Sequence, residues 1–155
     1  MSGTVGNPSL SVRIGNQSGQ FIVLSPLRRS HQAANDYWDG NWVKTTVRLS
    51  AGAFRGEYEA DLRVDEFLGF RNSLAELYKT LKGEAAFSSM EQWLEIHIKG
   101  DGKGHMTAEC VAKDCPGTGN YLTFDLELDQ TDLPPILDSL NQILGKFPIK
   151  GKPTD

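Results

Sequence analysis

YEADLRVDEFLGFRNSLAELYKTL, residues 58–81, changes its period halfway along. Up to Leu62 the apolar residues Tyr58, Ala60 and Leu62 alternate with Glu59 and Asp61. From Val64 onward Phe67, Phe70, Leu74, Leu77, Tyr78 and Leu81 recur at intervals of three and four. Period two belongs to a strand with one wet face, and the longer period to one side of a helix. The stretch therefore predicts a strand that runs directly into a helix, with Asp65 as a cap and Gly83 as a stop. A shift of 66 residues lays Tyr58 on Phe124, Ala60 on Leu126, Leu62 on Leu128, Asp65 on Thr131, Phe67 on Leu133, Leu74 on Leu140 and Leu77 on Ile143. The pattern recurs with few identities, and it predicts two equivalent helices covering one face of a common sheet.

Working outward, alternation dominates. Leu10, Val12 and Ile14 make a first strand, 16–19 a turn, and Phe21 to Leu24 a second strand ending at Pro26. After a polar loop at 28–36, Trp42 to Leu49 and Phe54 to Leu62 form another hairpin, and a short segment at 85–87 is a candidate edge strand. Leu94, Ile96 and Ile98 lead through Lys99-Gly-Asp-Gly-Lys103 to Met106, Ala108, Cys110 and Ala112, a glycine-rich hairpin. Leu122, Phe124, Leu126 and Leu128 make the last strand. The second helix has Thr131 as cap, Pro134 and Pro135 in its first turn, and Gly145 and Pro148 at its end. The expected architecture is α+β: a curved, mostly antiparallel sheet of about seven or eight strands with two helices on one face.

A length of 155 residues suits one domain, here 1–155 with loose ends at 1–8 and 150–155, and 39% hydrophobic residues suffice for a core. A net charge of −4 disfavours nonspecific binding to nucleic acid or an anionic membrane. Residues 1–7 lack a signal-like progression and no apolar run is long enough to span a bilayer, so the expected location is the cytoplasm. Cys110 and Cys115 read as reduced thiols rather than a disulfide framework or a zinc site.

Eight carboxylates, Glu57, Glu59, Asp61, Glu95, Glu109, Asp125, Glu127 and Asp129, fall at odd strand positions, away from the apolar stripe. Five cations, Lys44, Arg48, Arg55, Arg63 and Lys99, share that side. Such a face is either an ordinary solvated sheet or an acidic surface that steers a basic protein partner. His97 and His105 flank the 99–103 turn and would lie opposite or diagonal, where with Glu95 and Glu109 they offer a metal-dependent hydrolase as the competing reading. A phosphate-binding loop, a Ser-His-Asp signature and a zinc tetrad are all missing, so no catalytic set is expected and neither cofactor nor metal is assigned.

DYWDGNWV, residues 36–43, concentrates two of three tryptophans around Asp39-Gly40-Asn41. A turn with positive φ at Asp39-Gly40 would let Trp38 and Trp42 fold back as a structural staple, or leave an indole exposed as a partner anchor.

Tyr37-Trp-Asp-Gly-Asn-Trp42 ahead of an alternating strand resembles the opening of the WapI-type immunity proteins, antidotes of bacterial polymorphic or contact-dependent toxins. The likeness continues in order and spacing through Ser50-Ala-Gly-Ala-Phe54, Leu77-Tyr78, Leu81-Lys-Gly-Glu84, Met90-Glu-Gln-Trp93, Gly100-Asp-Gly-Lys-Gly-His105 and Asp129-Gln-Thr-Asp-Leu-Pro134. It covers about Asn35 to Phe147. The resemblance implies a non-enzymatic, cytoplasmic binding protein whose partner is a cognate toxin, often a nuclease. It assigns no individual contact residue and leaves oligomeric state open. A scaffold domain unrelated to toxins is the remaining alternative.

Overall fold

Where the period changes at Val64, the chain leaves one sheet and does not return to it. The structure, a computed structural model, describes residues 10–16 and 19–154. The loose start expected at 1–8 and the middle of the turn expected at 16–19 lie outside them. The described strands are β1 (Val12–Gly15), β2 (Phe21–Arg29), β3 (Trp42–Ala51), β4 (Phe54–Arg63), β5 (Lys82–Ser88), β6 (Leu94–Asp101), β7 (His105–Lys113) and β8 (Tyr121–Asp129). A single helical turn, α1 (Tyr37–Gly40), precedes β3, and the long helices are α2 (Val64–Thr80) and α3 (Leu133–Lys146).

The α+β class, the antiparallel pairing and the helix positions agree with the sequence. The eight strands are nevertheless parted into two four-stranded meanders, β1-β2-β3-β4 and β5-β6-β7-β8. Between the two lie the 17 residues of α2, which carry the chain about 25 Å, and β5 then opens the second sheet beside β6 and does not join β4. Each meander is followed by a helix, and the packing is reciprocal: α2 lies on β5 of the second meander, α3 on β1 of the first, and the helices on each other. This is the spatial counterpart of the 66-residue shift.

Because side chains alternate along each strand, even-numbered residues of β6, β7 and β8 turn inward and Leu94, Ile96, Ile98, Met106, Ala108, Leu126 and Leu128 are buried. They join Val12, Ile22, Leu62, Phe67, Leu140 and others in one apolar cluster spanning both sheets and both helices. Phe87 of β5 meets Phe67 and Phe70 of α2 edge-on, with centroids 5.5 and 5.9 Å apart. At the other side of the molecule the edge strands β1 and β8 approach each other. The side-chain amides of Asn16 and Gln20 donate to the carbonyls of Glu127 and Asp125, each at 3.0 Å, and so occupy part of the β8 edge.

Several boundaries differ from the sequence reading for local reasons. Strand β2 does not stop at Pro26; a register irregularity between Pro26 and Arg28 absorbs the missing N–H, and pairing resumes to Arg29. Asp65 does not cap α2. The helix starts one residue earlier because Val64 is drawn into the core, and the N-cap is Arg63, whose backbone N–H donates to Glu66 Oε1 at 2.8 Å. The same helix ends at a left-handed Leu81 (φ 60°), its N–H on Leu77 O, so Gly83 falls inside β5. Thr131 does not cap α3: it lies inside the 3-10 turn Gln130–Asp132, which Asp129 caps by accepting from Gln130 N while Asp132 accepts from Asp129 N, and the N-cap position of α3 is Asp132, without a side-chain cap bond. Pro134 and Pro135 sit in the first turn of α3, and Gly145 lies within that helix, which runs on to Lys146.

The 39–40 turn is helical. Asp36 caps α1 by accepting from Asp39 N at 3.0 Å, and Gly40 has no positive φ. Glycine at position 40 is favoured for a different reason: an added Cβ would crowd Ala34 O at 3.0 Å and the Lys150 side chain at 3.1 Å. Where the sequence suggests a loose end from residue 150, Lys150 exchanges backbone bonds with the Asn41 side chain, and Pro153 O accepts from Trp38 Nε1 at 3.2 Å. Among the described residues no helix is long and apolar enough to cross a membrane.

Candidate partner-binding surface

The tryptophan pair surrounds an arginine. Arg63 is fully buried, and its guanidinium carbon lies 4.9 Å from the ring centroid of Trp42, 5.2 Å from Tyr37 and 5.3 Å from Trp38. Each of its three nitrogens donates: Nη1 to Trp38 O at 2.7 Å, Nη2 to Tyr37 O at 2.9 Å, Nε to Asp65 Oδ1 at 2.8 Å. The α1 turn thus presents two carbonyls and two rings to one side chain, and β3 supplies the third ring, Trp42, as the direct ladder partner of Arg63. Burial, and then the charge of Asp65, push the Tyr37 hydroxyl above its usual pKa. Trp42 is half-buried and Trp38 is 45% exposed, so the outer edge of Trp38 remains on the surface. Sequence parity placed Arg63 with the outward cations; the structure puts it inside.

The eight candidate carboxylates all remain at the surface: Asp61 and Glu95 are half-buried, the other six exposed. They do not share one face. Glu57, Glu59 and Asp61 lie on β4 of the first sheet, where Arg48 stands opposite Glu57, Thr46 opposite Glu59 and Lys44 opposite Asp61, the last pair joined at 2.7 Å. Arg13, Arg28 and Arg55 lie on that face too, so five cations meet three carboxylates there. The outer face of the second sheet carries Glu95, Glu109, Asp125, Glu127 and Asp129 together with Glu84 and Asp101, seven carboxylates against Lys82, Lys99 and Lys113. Glu109 sits directly between His97 on β6 and Asp125 on β8. Two like charges side by side in a ladder cost stability, whereas Thr107 Oγ1, which donates to Glu127 Oε2 at 3.2 Å, eases only one neighbour.

His97 and His105 are not opposite each other. The register sets His97 against Glu109 and His105 against Asp129, two outward rows apart. His97 Nε2 contacts Glu84, and His105 Nε2 is 3.4 Å from Glu127 Oε2. Among the described residues no group of three or more His, Cys, Asp or Glu side chains is placed to hold a metal ion. Cys110 is buried, which pushes its thiol up to about 12, and Cys115 is exposed; both are free.

Where the sheets meet, a groove opens that sequence reading did not single out. Two adjoining cavities, about 600 and about 310 Å³, share Leu49, Arg55, Gly56 and Glu57 as a common wall. Phe54 and Tyr121, 65% and 69% exposed, both border the smaller one. Beside the larger one Phe21 is held between Arg13 and Arg48, 4.1 and 5.2 Å from its ring centroid. The groove is pinned from behind by Tyr58, whose hydroxyl donates to Trp93 O at 2.8 Å while the two rings stack at 6.1 Å. The available signal was that Tyr121 opens β8 on the outward side, where polar residues are the norm, while Phe54 opens β4 in the apolar row but next to a turn, 65% exposed beyond the end of the core.

The model of the immunity protein WapI-like family matches residues 13–148 of this chain. Comparison with curated proteins gives no match.

Proposed function

We propose, from the premise that the chain belongs to the WapI-like immunity protein family, that it neutralises one cognate toxin domain by stoichiometric binding. The surface we assign to that contact is the outer face of β5 to β8, laid over the basic cleft of a toxin that acts on nucleic acid in the cytoplasm. The observation that carries this reading is the charge imbalance of the second sheet, with Glu109 and Asp125 adjacent and no lysine or arginine between them. A nuclease must present Lys and Arg to hold phosphates. A sheet face that carries more carboxylates than lysines competes for those cations and accelerates encounter. Trp38 and Trp42 serve mainly to cage Arg63, and the exposed edge of Trp38 is left as a peripheral contact. Glu57, Glu59 and Asp61, two of them set against cations on the neighbouring strand, contribute less.

The test is purification with the toxin encoded beside the gene. A 1:1 complex that abolishes toxin activity is expected, with an association rate that falls steeply as salt is raised. Replacing Glu109 and Asp125 by lysine should slow association at least tenfold at low salt. Absence of a complex and of protection would refute the assignment.

A further inference from the structure

We infer that the groove between the sheets is the anchoring pocket of the toxin contact: an apolar side chain projecting from the toxin enters between Phe54 and Tyr121, with basic toxin residues on the β8 side of it and acidic ones on the β3–β4 side. This rests on the reading of the protein as a toxin-binding antidote and adds where the complex is held once encounter has occurred.

Four observations carry it. Phe54 and Tyr121 are the most exposed of the large hydrophobic side chains, and they come from different sheets to border one cavity. Neither supports the core. Phe54 pairs with Ala51 at the mouth of the β3–β4 hairpin and Tyr121 with Lys113 at the start of β8, positions that a polar residue would fill without loss of packing. Aromatic rings kept in water where the fold does not need them are the usual centres of protein interfaces. The groove is also preformed, because Tyr58 to Trp93 and the Asn16 and Gln20 amides to β8 hold the two sheets together at this seam, so little ordering entropy is lost on binding.

Charge selects the partner and its orientation. From Tyr121 the outward row of β8 continues through Thr123 to Asp125, Glu127 and Asp129, which calls for cations on the partner. On the other wall Arg55 and Glu57 line both cavities, Asp114 lines the smaller one, and Arg48 joins Arg55 around the larger one, where two cations against Glu57 call for a carboxylate. A partner with one apolar projection between a basic and an acidic patch satisfies all three walls in a single orientation. The acidic face alone fixes no orientation.

The experiment measures association and dissociation rates of the purified toxin for the full chain and its variants, with thermal melting of each variant as a folding control. Phe54→Ala and Tyr121→Ala should each raise the dissociation rate about thirtyfold, leave the association rate within about twofold, and leave its salt dependence unchanged. Tyr121→Phe should retain wild-type rates, because the contact is with the ring. Glu109→Gln with Asp125→Asn should do the opposite, slowing association and flattening its salt dependence. Wild-type dissociation rates in Phe54→Ala and Tyr121→Ala, with the acidic-face variant still slowed, would overturn the anchoring pocket and leave the toxin-binding assignment standing. A wild-type chain that fails to bind the toxin would overturn both.

Discussion

The two sheets are built alike and charged differently. Each is a four-stranded antiparallel meander that runs straight into a helix, and each turns its apolar side to the same core. On the first, cations outnumber carboxylates and Lys44 and Asp61 close an ion pair; on the second, carboxylates outnumber lysines and two of them, Glu109 and Asp125, are neighbours in the ladder. Folding places no demand on the sign of a wet face, so the contrast has another source. A face whose charges are balanced at home gains little from a partner, whereas an unbalanced one is relieved when cations arrive. On the proposed reading the contrast points to the second face as the recognition surface, in a fold whose two halves share the same order of strands and helix.

The first way to break the comparison is to ask whether Arg63 belongs to the first sheet's outer charge at all. If it is part of the core, Arg63→Ala leaves two carbonyls, Asp65 and three rings without their partner and should destabilise the fold by about 3 to 5 kcal/mol, seen as a large drop in melting temperature. A loss below about 1 kcal/mol would return Arg63 to the surface and make the first sheet still more cationic.

A second way concerns the joint between the halves. Glu66 accepts from Arg63 N at the end of the first sheet and from Met90 N between β5 and β6. Burial, opposed by those two N–H groups, raises its carboxyl to about 7. An acid whose pKa is higher in the folded chain than in the unfolded one holds its proton longer when folded. Its contribution is therefore complete below pH about 4.5 and is lost as pH rises towards 7, by about 3 kcal/mol in all. The difference in stability between wild type and Glu66→Gln should follow that course between pH 4.5 and 7, measured by denaturant titration. A flat difference would mean that Glu66 is already ionised in the folded chain.

How much of this was legible in the sequence depends on the range of the interaction involved. Strands β6, β7 and β8 and both long helices could be read from period alone, because the partition of apolar and polar side chains is a local consequence of backbone geometry. The division into two sheets could not be read, since it depends on whether β4 and β5 pair across the 17 residues of α2. Arg63 was misplaced because alternation reports which side of a strand a residue takes, and at the last position of β4 that side is roofed by α1 rather than by water. The acidic residues were located correctly one by one, but which of them are balanced depends on register, and register is long-range. Phe54 stands at the start of β4 in its apolar row and Tyr121 at the start of β8 in its outward row, and only the meeting of the two sheets brings both to one cavity.

The smallest effects are the sharpest test of the contrast, because they compare like with like. On the first sheet, Lys44→Gln removes the cation that faces Asp61 and should cost about half a kcal/mol, since both side chains are only about a third exposed and the pair is close. On the second, Glu109→Gln removes one of two adjacent carboxylates, and the sign reverses: stability should rise by a few tenths of a kcal/mol as the repulsion with Asp125 disappears. Both changes neutralise a single outward charge on an inner strand of an antiparallel meander, so differences in packing and strand propensity largely cancel between them. Raising the salt concentration should shrink both effects towards zero, because each arises from charges reached by solvent. Chemical denaturation at low and high salt resolves them. Two losses of equal sign would mean that the second face is balanced after all, and the acidic row would then lose its claim to be kept for a partner.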